Sequence, residues 1–261
     1  MESKVTVIKI GSEVLDNEVL LQNFLKHFAK IDGPKVLVHG GGKSATQLGE
    51  QFGSQAKMVD GRRITDASQL KVVTMTYSGW INSSVVAQLQ GLGCNALGLN
   101  GADANLILSA QRPELNGVDY GFVGDVKKVN HYFLDLLLDM GVVPVVCAIT
   151  HDGEGQLLNT NADTVAAEVA SSLTGSSWEV KLIYCFGYPG VMKDLNDRSS
   201  WIPVLENDEV EEYTNKGIIH SGMLPKLTAG FLASSRGVLT SIQGVEELVQ
   251  GKSAKTQLAW N

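Results

Sequence analysis

A lysine and a run of three glycines stand where a parallel α/β sheet could hold an anion. Lys9 is the last charged residue of an apolar segment, residues 4–10, that predicts a buried strand. An ammonium is costly to bury there, so Lys9 either extends to solvent or carries a functional charge. Gly40, Gly41 and Gly42 follow the next predicted strand and open a helix, where N–H groups favour an anion. A tight turn alone is the other interpretation of this run.

A polar segment precedes a later predicted helix. It contains Asn159, Asn161 and Asp163, at the point where a predicted hairpin leads into the helix. Asn and Asp are favoured at helix N-caps, and Asn161 is the residue best placed to cap. We therefore expect Asn159 and Asp163 to face the cleft at the carboxyl ends of the strands, where ligands bind in such sheets.

Two further cations lie near predicted helix starts. Arg62 and Arg63 are adjacent, an arrangement usually found on a solvated surface, although one planar guanidinium can grip a carboxylate. Lys226 lies near the start of a helix predicted over residues 223–236. A cation there opposes the helix dipole, so helix stability does not explain Lys226.

Two nucleotide motifs fit the glycine run poorly. A P-loop ending at Gly42 would need glycine at position 37, which is leucine. The dinucleotide pattern G-x-G-x-x-A matches residues 40–45, with Asp60 as a ribose partner. A glycine run satisfies that pattern easily, and the interpretation leaves Lys9 without a role. The five histidines show no metal-ligand spacing, and local context suggests no Ser/His/Asp or Cys/His set.

These candidate residues need a framework of alternating strands and helices. We predict strands over 4–10, 35–39, 95–99, 106–110, 142–149, 179–186 and 238–242, a hairpin region over 122–129, and helices over 18–30, 44–52, 66–90, 132–140, 161–173, 208–216, 223–236 and 245–249. This alternation implies an α/β sandwich on a mainly parallel sheet. The stretch Gly175-Ser176-Ser177 is the best boundary between two lobes, residues 1–177 and 178–261.

Composition narrows the class of protein further. The chain has 261 residues, 44% of them hydrophobic and 19% charged, with a formal net charge of -7. This is typical of a globular protein, and the lack of a basic run disfavours nucleic acid or an anionic membrane as partner. No apolar run reaches the ~18 residues that a membrane-spanning helix needs. Three scattered cysteines argue against disulfides and zinc and favour buried thiols in a reducing cytoplasm.

Five motifs, in order, resemble those of the amino acid kinase family over nearly the whole chain. The resemblance is closest to members that phosphorylate an N-acylated glutamate in arginine synthesis. The motifs are Lys9-Ile10-Gly11, His39-Gly40-Gly41-Gly42, Gly61-Arg62-Arg63-Ile64-Thr65, Leu158-Asn159-Thr160-Asn161-Ala162-Asp163, and Gly217-Ile218-Ile219-His220-Ser221-Gly222-Met223 followed by Lys226.

The resemblance implies a three-layer α/β/α sandwich on an open, mainly parallel sheet, and phosphoryl transfer from ATP, with Mg²⁺ held mainly by the phosphates. The first lobe would bind the acyl-glutamate and form a homodimer, and the second would bind ATP. By matched position, Lys9 and Lys226 would stabilise the transferring phosphoryl group and Asp163 would orient them. The implied binding residues are Gly40, Gly41, Arg63 and Asn159 for the acyl-glutamate, Gly11, Ser12 and Gly42 for phosphate, and Gly187, Tyr188, Pro189, Gly190, Val191, Met192, Ile218, Ile219 and His220 for the nucleotide.

The chain departs from the family pattern at two places. Ser12 stands where the family usually has a second glycine, and Gly187 stands where the nucleotide loop usually begins with Asp. These changes keep a catalytically silent metabolite sensor as one alternative, and a dinucleotide-dependent oxidoreductase is another. The acyl group also stays open, because a succinyl group would need an extra cation, for which Arg62 and Lys57 are candidates.

Regulation is the last expectation. Arginine feedback in this family accompanies an additional N-terminal helix, and only eight residues precede Lys9. We therefore expect an enzyme that arginine does not inhibit.

Overall fold

A computed structural model describes residues 3–59, 62–176, 178–220 and 222–261. Asp60, the ribose partner in the dinucleotide interpretation, and Ser177, at the predicted lobe boundary, lie outside the described residues, as do Gly61 and Ser221 of the family motifs.

The elements alternate along the chain much as predicted. The strands are β1 (Ser3–Ile10), β2 (Lys35–His39), β3 (Lys57–Val59), β4 (Arg62–Ile64), β5 (Ala96–Leu99), β6 (Ile107–Gln111), β7 (Gly124–Val129), β8 (Val143–Cys147), β9 (Ile149–His151), β10 (Leu157–Asn159), β11 (Trp178–Phe186), β12 (Val204–Glu206), β13 (Leu239–Gly244) and β14 (Thr256–Ala259). The α-helices are α1 (Ser12–Leu15), α2 (Glu18–Ala29), α3 (Gly42–Gln51), α4 (Ala67–Thr74), α5 (Asn82–Gly91), α6 (His131–Asp139), α7 (Ala162–Leu173), α8 (Val210–Asn215), α9 (Leu224–Ser235) and α10 (Val245–Val249). A π-helical segment, Met75–Ile81, joins α4 to α5, and the short segments Asp103–Asn105 and Asn207–Glu209 are 3₁₀-helical.

One eight-stranded sheet runs through the molecule in the order β12-β14-β13-β11-β1-β2-β8-β5. Its described pairs are parallel except β13 with β14, which confirms the mainly parallel sheet. Helices α6, α7 and α9 pack along one face, and α5, α2 and α10 pack along the other. The result is the predicted three-layer α/β/α sandwich, with the apolar side chains of β1, β2 and β8 buried between helical layers.

Two smaller sheets lie beside this framework. A four-stranded sheet has the order β10-β9-β6-β7, and β3 pairs with β4 in a hairpin. The antiparallel pairing of β6 with β7 confirms the predicted hairpin region. The strands β3, β4, β12 and β14 were not predicted. Each has only three or four residues, which is too short to show a clear alternation of apolar and polar side chains.

Two predicted elements were wrong in their internal structure. The apolar run over residues 142–149 is divided between β8 in the large sheet and β9 in the small one. Both strands are buried, so hydrophobicity alone does not reveal the change of sheet. The helix predicted over 66–90 begins at the cap Asp66 as expected, but its middle is π-helical over Met75–Ile81.

The three cysteines are buried thiols, as predicted. Cys94, Cys147 and Cys185 are all free and buried. Burial raises the pKa of the Cys147 and Cys185 thiols to about 12. No helix among the described residues has the length and apolarity that a membrane crossing requires.

Candidate active site

Two lysines from distant parts of the chain meet at one carboxylate. The Nζ atom of Lys9, at the end of β1, lies 2.8 Å from Asp163 Oδ1. The Nζ atom of Lys226, in the first turn of α9, lies 2.7 Å from the same oxygen. Asp163 is in the first turn of α7, and α7 packs against both β1 and α9. The structure therefore brings these three sequence-predicted residues together.

Burial and mutual charge set the protonation of this cluster. Burial alone would raise the pKa of the Asp163 carboxyl, but the charges and hydrogen bonds of Lys226 and Lys9 outweigh it and hold that pKa well below its ordinary range. For Lys226, burial is the largest effect and lowers the pKa to about 8, with Asp163 opposing and Lys9 reinforcing the decrease. At neutral pH the cluster holds two ammonium groups against one carboxylate, an excess of positive charge that favours an anionic ligand.

Tyr184, which was not singled out from the sequence, contacts this cluster from the neighbouring strand β11. It lies on β11 in register with Lys9 on β1 and is fully buried. Its hydroxyl donates to the backbone oxygen of Asp163 at 2.9 Å, and Lys226 Nζ lies 4.9 Å from its ring centroid. A tyrosine within the apolar stretch 182–186 that ends β11 is a signal in itself, because its hydroxyl requires a buried partner.

The glycine turn forms the wall of a cavity of about 200 Å³ beside the lysines. Gly41 has a φ of +152°, and a Cβ on it would lie 2.3 Å from Ile81 Cδ1 and 3.1 Å from Tyr77 Cδ1. Only glycine fits at this position, so the run is more than a flexible turn. The cavity is lined by Lys9, Gly11, Ser12, Gly40, Gly41, Gly42, Met58, Arg63, Tyr77, Val123, Ala148, Asn159, Thr160, Asn161, Ala162 and Asp163.

Arg63 contributes a buried positive charge to the same cavity. Its side chain donates to three neutral acceptors: Gln69 Oε1 at 3.0 Å, Gly42 O at 2.8 Å and Thr46 Oγ1 at 2.8 Å. The residue is only 7% exposed, and within the described part of the chain no carboxylate pairs with it. A buried guanidinium without a counter-ion suits a ligand that carries its own carboxylate.

The polar segment before α7 behaves as the sequence predicted. Asn161 Oδ1 caps the helix by accepting from the N–H groups of Asp163 at 2.8 Å and Thr164 at 3.2 Å. Asn159 lines the cavity and donates from Nδ2 to Thr65 Oγ1 at 3.0 Å. Because Asn161 provides the cap, the Asp163 carboxylate is free to contact the lysines.

The two departures from the family pattern have local explanations. Ser12 Oγ accepts from the Lys43 N–H at 3.4 Å, so the hydroxymethyl group joins the glycine turn to the end of β1. Gly187 N–H donates to Glu13 Oε2 at 3.1 Å, and a Cβ on residue 187 would lie 1.9 Å from Glu13 Oε1. The carboxylate of Glu13 thus occupies the space that a side chain at position 187 would need.

The predicted nucleotide residues lie along the other half of the sheet. Gly187 follows β11, and the buried Pro189, Gly190, Val191 and Met192 continue from it. The Val191 N–H donates to Thr256 Oγ1 at 2.8 Å. Partly exposed Tyr188 and Ile218, buried Ile219 and exposed His220 complete the set, and none of the nine lines the cavity beside Lys9.

Four residues of the cavity lining were not singled out from the sequence. Tyr77 belongs to the π-helical segment, and Met58 to the β3–β4 hairpin. The other two are Val123 and Ala148. They are ordinary apolar or small residues that become part of a site only through tertiary contacts, so composition carries no signal for them.

Comparison with known proteins gives the context of this geometry. Residues 4–242 match the amino acid kinase family. The chain is 50% identical to a protein of Cytophaga hutchinsonii named acetylglutamate kinase, over 99% of each chain. It is 52% identical to the acetylglutamate kinase of Phocaeicola vulgatus, over 91% of this chain and 92% of that protein. Neither match favours the oxidoreductase or the silent sensor.

Solved structures share the fold at lower identity. An N-acetylglutamate synthase from Neisseria gonorrhoeae, complexed with coenzyme A and N-acetyl-glutamate, superposes with a TM-score of 0.82 at 20% identity, covering 98% of this chain and 59% of that one. A Giardia lamblia carbamate kinase bound to AMP-PNP gives a TM-score of 0.66 at 13% identity, covering 99% of each chain. From its family match and its near-full-length relatives, the chain belongs to the amino acid kinase family.

Proposed function

We propose that the protein transfers the γ-phosphoryl group of ATP to the side-chain carboxylate of N-acetyl-L-glutamate, giving N-acetyl-L-glutamyl 5-phosphate in arginine biosynthesis. The relatives named acetylglutamate kinase support this reaction. The observation that carries it is the convergence of Lys9 and Lys226 on one oxygen of Asp163, beside the glycine turn and the buried Arg63.

The reaction suits a site without a general base. A glutamate side chain, with an ordinary pKa of about 4.3, is already ionised at neutral pH and is therefore a ready nucleophile. The difficulty is electrostatic, because an anion must approach a polyanionic triphosphate. Positioning and fixed positive charge overcome that repulsion, and the transfer breaks one P–O bond of ATP as it forms the acyl phosphate.

The first half of the chain, residues 1–177, binds the acyl-glutamate. The buried guanidinium of Arg63 has no acidic partner among the described residues and pairs with a substrate carboxylate. Asn159, Gly40 and Gly41 line the same cavity and supply polar groups for the rest of the molecule. Arg63 and the glycine turn are in direct contact, so substrate binding also fixes the turn.

Lys9 and Lys226 stabilise the phosphoryl group in transfer, and Asp163 holds their ammonium groups together. ATP enters from the second half, residues 178–261, with Gly11, Ser12 and Gly42 facing its phosphates and residues 187–192 and 218–220 contacting the nucleoside. The Mg²⁺ ion is held mainly by the oxygens of the triphosphate, because Mg²⁺ at such sites is usually bound through substrate phosphates.

Assembly and location complete the proposal. The protein acts as a homodimer that forms through its first lobe. The free, buried state of Cys94, Cys147 and Cys185 suits the reducing cytoplasm.

An ATP-dependent hydroxamate assay tests this function. Hydroxylamine traps an acyl phosphate, so N-acetyl-, N-succinyl- and free L-glutamate can be compared under identical conditions. We expect N-acetyl-L-glutamate to give the highest kcat/KM. A higher kcat/KM for N-succinyl-L-glutamate would identify that compound as the substrate instead. Binding of N-acetyl-L-glutamate without any hydroxamate would show that the protein is a metabolite sensor and not an enzyme.

A further inference from the structure

A buried hydrogen-bonded pair lies directly behind the glycine turn. His39 is the last residue of β2 and has no exposed surface. Its Nε2 lies 3.0 Å from Asn82 Nδ2, and its Nδ1 lies 2.8 Å from the carbonyl oxygen of Gly40. Asn82, the first residue of α5, is only 4% exposed. Neither side chain lines the cavity, so neither contacts a ligand there.

The neighbours of this pair fix the tautomer of the imidazole. Asn82 Nδ2 also lies 2.9 Å from the carbonyl oxygen of Val145, which identifies it as the amide nitrogen, a donor. His39 Nε2 must therefore accept, and the ring proton resides on Nδ1, where it donates to Gly40 O. Burial is the main reason that the pKa of His39 falls to about 4, and the charge of Lys9 adds to it against the Gly40 hydrogen bond. The ring is neutral at neutral pH.

That hydrogen bond sets the orientation of one peptide group. Among the described residues there is no cis peptide bond, so the Gly40 carbonyl and the Gly41 N–H point in opposite directions. The carbonyl is held toward the buried ring. The Gly41 N–H donates no hydrogen bond to any residue in the described ranges. On its Cβ side, Gly41 is closed off by Ile81 and Tyr77.

We propose that His39 and Asn82 are positioning residues that hold the Gly40–Gly41 peptide with its N–H directed into the cavity, where it donates to the N-acetyl-L-glutamate molecule. The inference rests on the proposed function for the identity of that ligand. Asn82 Nδ2 links the end of β2 to the middle of β8 through His39 and Val145, so the peptide orientation is tied to the large sheet and does not depend on the turn alone.

Gly98 is part of this arrangement although it is remote from the turn. It lies on the edge strand β5, and a Cβ there would lie 2.0 Å from Asn82 Oδ1. An alanine at position 98 must displace the Asn82 amide, which already makes two hydrogen bonds. Gly98→Ala therefore perturbs the pair without touching His39, the glycine turn or the cavity.

Two amide substitutions at position 39 distinguish the role of Nδ1 from the role of Nε2. In His39→Asn the amide lies near the place of Nδ1 and can still donate to Gly40 O. In His39→Gln it lies near the place of Nε2, so it accepts from Asn82 but leaves Gly40 O unpaired. Both remove the ring, so both lower stability, and a merely structural role predicts the same functional loss in each.

Titration calorimetry with N-acetyl-L-glutamate and steady-state kinetics in both substrates provide the test. We expect His39→Gln to raise the Kd and KM for N-acetyl-L-glutamate about tenfold, the value of one hydrogen bond of roughly 1.4 kcal/mol, and to leave the KM for ATP within about twofold. His39→Asn should stay within about threefold in every constant.

Gly98→Ala should raise the KM for N-acetyl-L-glutamate in the same direction as His39→Gln and spare the KM for ATP, which keeps the test valid if the substitutions at position 39 impair folding. If His39→Gln and His39→Asn changed the Kd and KM for N-acetyl-L-glutamate equally, or if Gly98→Ala left that KM unchanged, the positioning role would be wrong. The proposed function would still stand in that case, because it depends on turnover by the wild-type protein. Absence of wild-type binding and turnover would overturn both.

Discussion

Asp163 is the residue on which the charge of the candidate site depends. One of its oxygens accepts from both Lys9 and Lys226, so removing the carboxylate would leave two buried ammonium groups facing each other. Mutual repulsion would then separate them or discharge one of them. The low pKa of Asp163 keeps it ionised down to acidic pH, so its stabilising contribution is complete above the ordinary carboxyl pKa and is lost progressively as the pH falls from there through the lowered native pKa.

The protonation of Lys226 predicts an alkaline limit to activity. Its pKa of about 8 lies below the ordinary 10.5, so the free enzyme loses this positive charge as the pH rises through about 8. We expect kcat/KM for ATP to fall with that pKa. The decline of kcat with pH should occur at higher pH than the decline of kcat/KM, because bound triphosphate stabilises the Lys226 ammonium.

Lys226→Arg is the matched control for this profile, since a guanidinium stays charged throughout the range. Its residual activity should show no decline near pH 8. A wild-type profile that stays flat to pH 10, or an identical decline in the arginine variant, would rule out Lys226 as the titrating group.

At the residue scale the sequence was most informative where a side chain was out of place. Lys9 in an apolar strand and Lys226 at a helix start both contradict local preferences, and both belong to the charged cluster. His39 was noted only as part of the glycine motif, and Asn82 and Tyr184 were not singled out, because nothing in the neighbouring sequence indicates which groups their polar atoms contact. Their partners are backbone oxygens or side chains far away in the chain.

At the scale of elements, the π-helical segment Met75–Ile81 shapes the glycine turn. It places Tyr77 and Ile81 against the Cα of Gly41, so the turn has no room for a side chain. A π-helical insertion has no sequence pattern that distinguishes it from an ordinary amphipathic helix, and it is frequent at functional sites. This is why residues 66–90 were predicted as one α-helix.

Gly41→Ala tests the contact between these two elements. The new methyl group meets Ile81 in a backbone conformation that favours glycine, so we expect a loss of about 1–3 kcal/mol in the free energy of unfolding, together with weaker binding of N-acetyl-L-glutamate. Urea denaturation and titration calorimetry measure the two effects.

Gly53→Ala is the control, because Gly53 has a φ of +70° with no atom within 4 Å of its Cβ position. It should show a backbone penalty without any loss of ligand affinity. If Gly41→Ala and Gly53→Ala had the same free energy of unfolding and the same affinity for N-acetyl-L-glutamate, the packing of the π-helical segment on the turn would contribute to neither stability nor binding.

At the scale of the whole molecule, the sheet joins the two halves of the chain edge to edge. Strand β1 of the first half pairs along its length with β11 of the second, and this pairing aligns Lys9 with Tyr184. The predicted lobes therefore share one continuous sheet. The parallel core was predictable because strands buried on both faces are long apolar runs. The four-stranded sheet was not, because its pairings depend on chain reversals rather than on composition.

This continuity accounts for the convergence of charges. Lys9 comes from a central strand, and Lys226 comes from α9, more than two hundred residues later in the chain. Only the packing of α7 against α9 and β1 brings both to Asp163. The two ammonium groups that meet at Asp163 thus come from different halves of the chain.

Acyl phosphate formation in Lys9→Met, Lys226→Met and the double variant tests whether both lysines stabilise the phosphoryl group in transfer, with native folding checked by circular dichroism. Each single substitution should reduce kcat by about 10²–10³-fold, the typical effect of losing one preorganised charge at a developing anion. The double variant should lose less than the product of the two, because both lysines act through one oxygen of Asp163. A folded variant that lacks either lysine and still forms acyl phosphate at the wild-type rate would show that the missing lysine does not stabilise the transferring group.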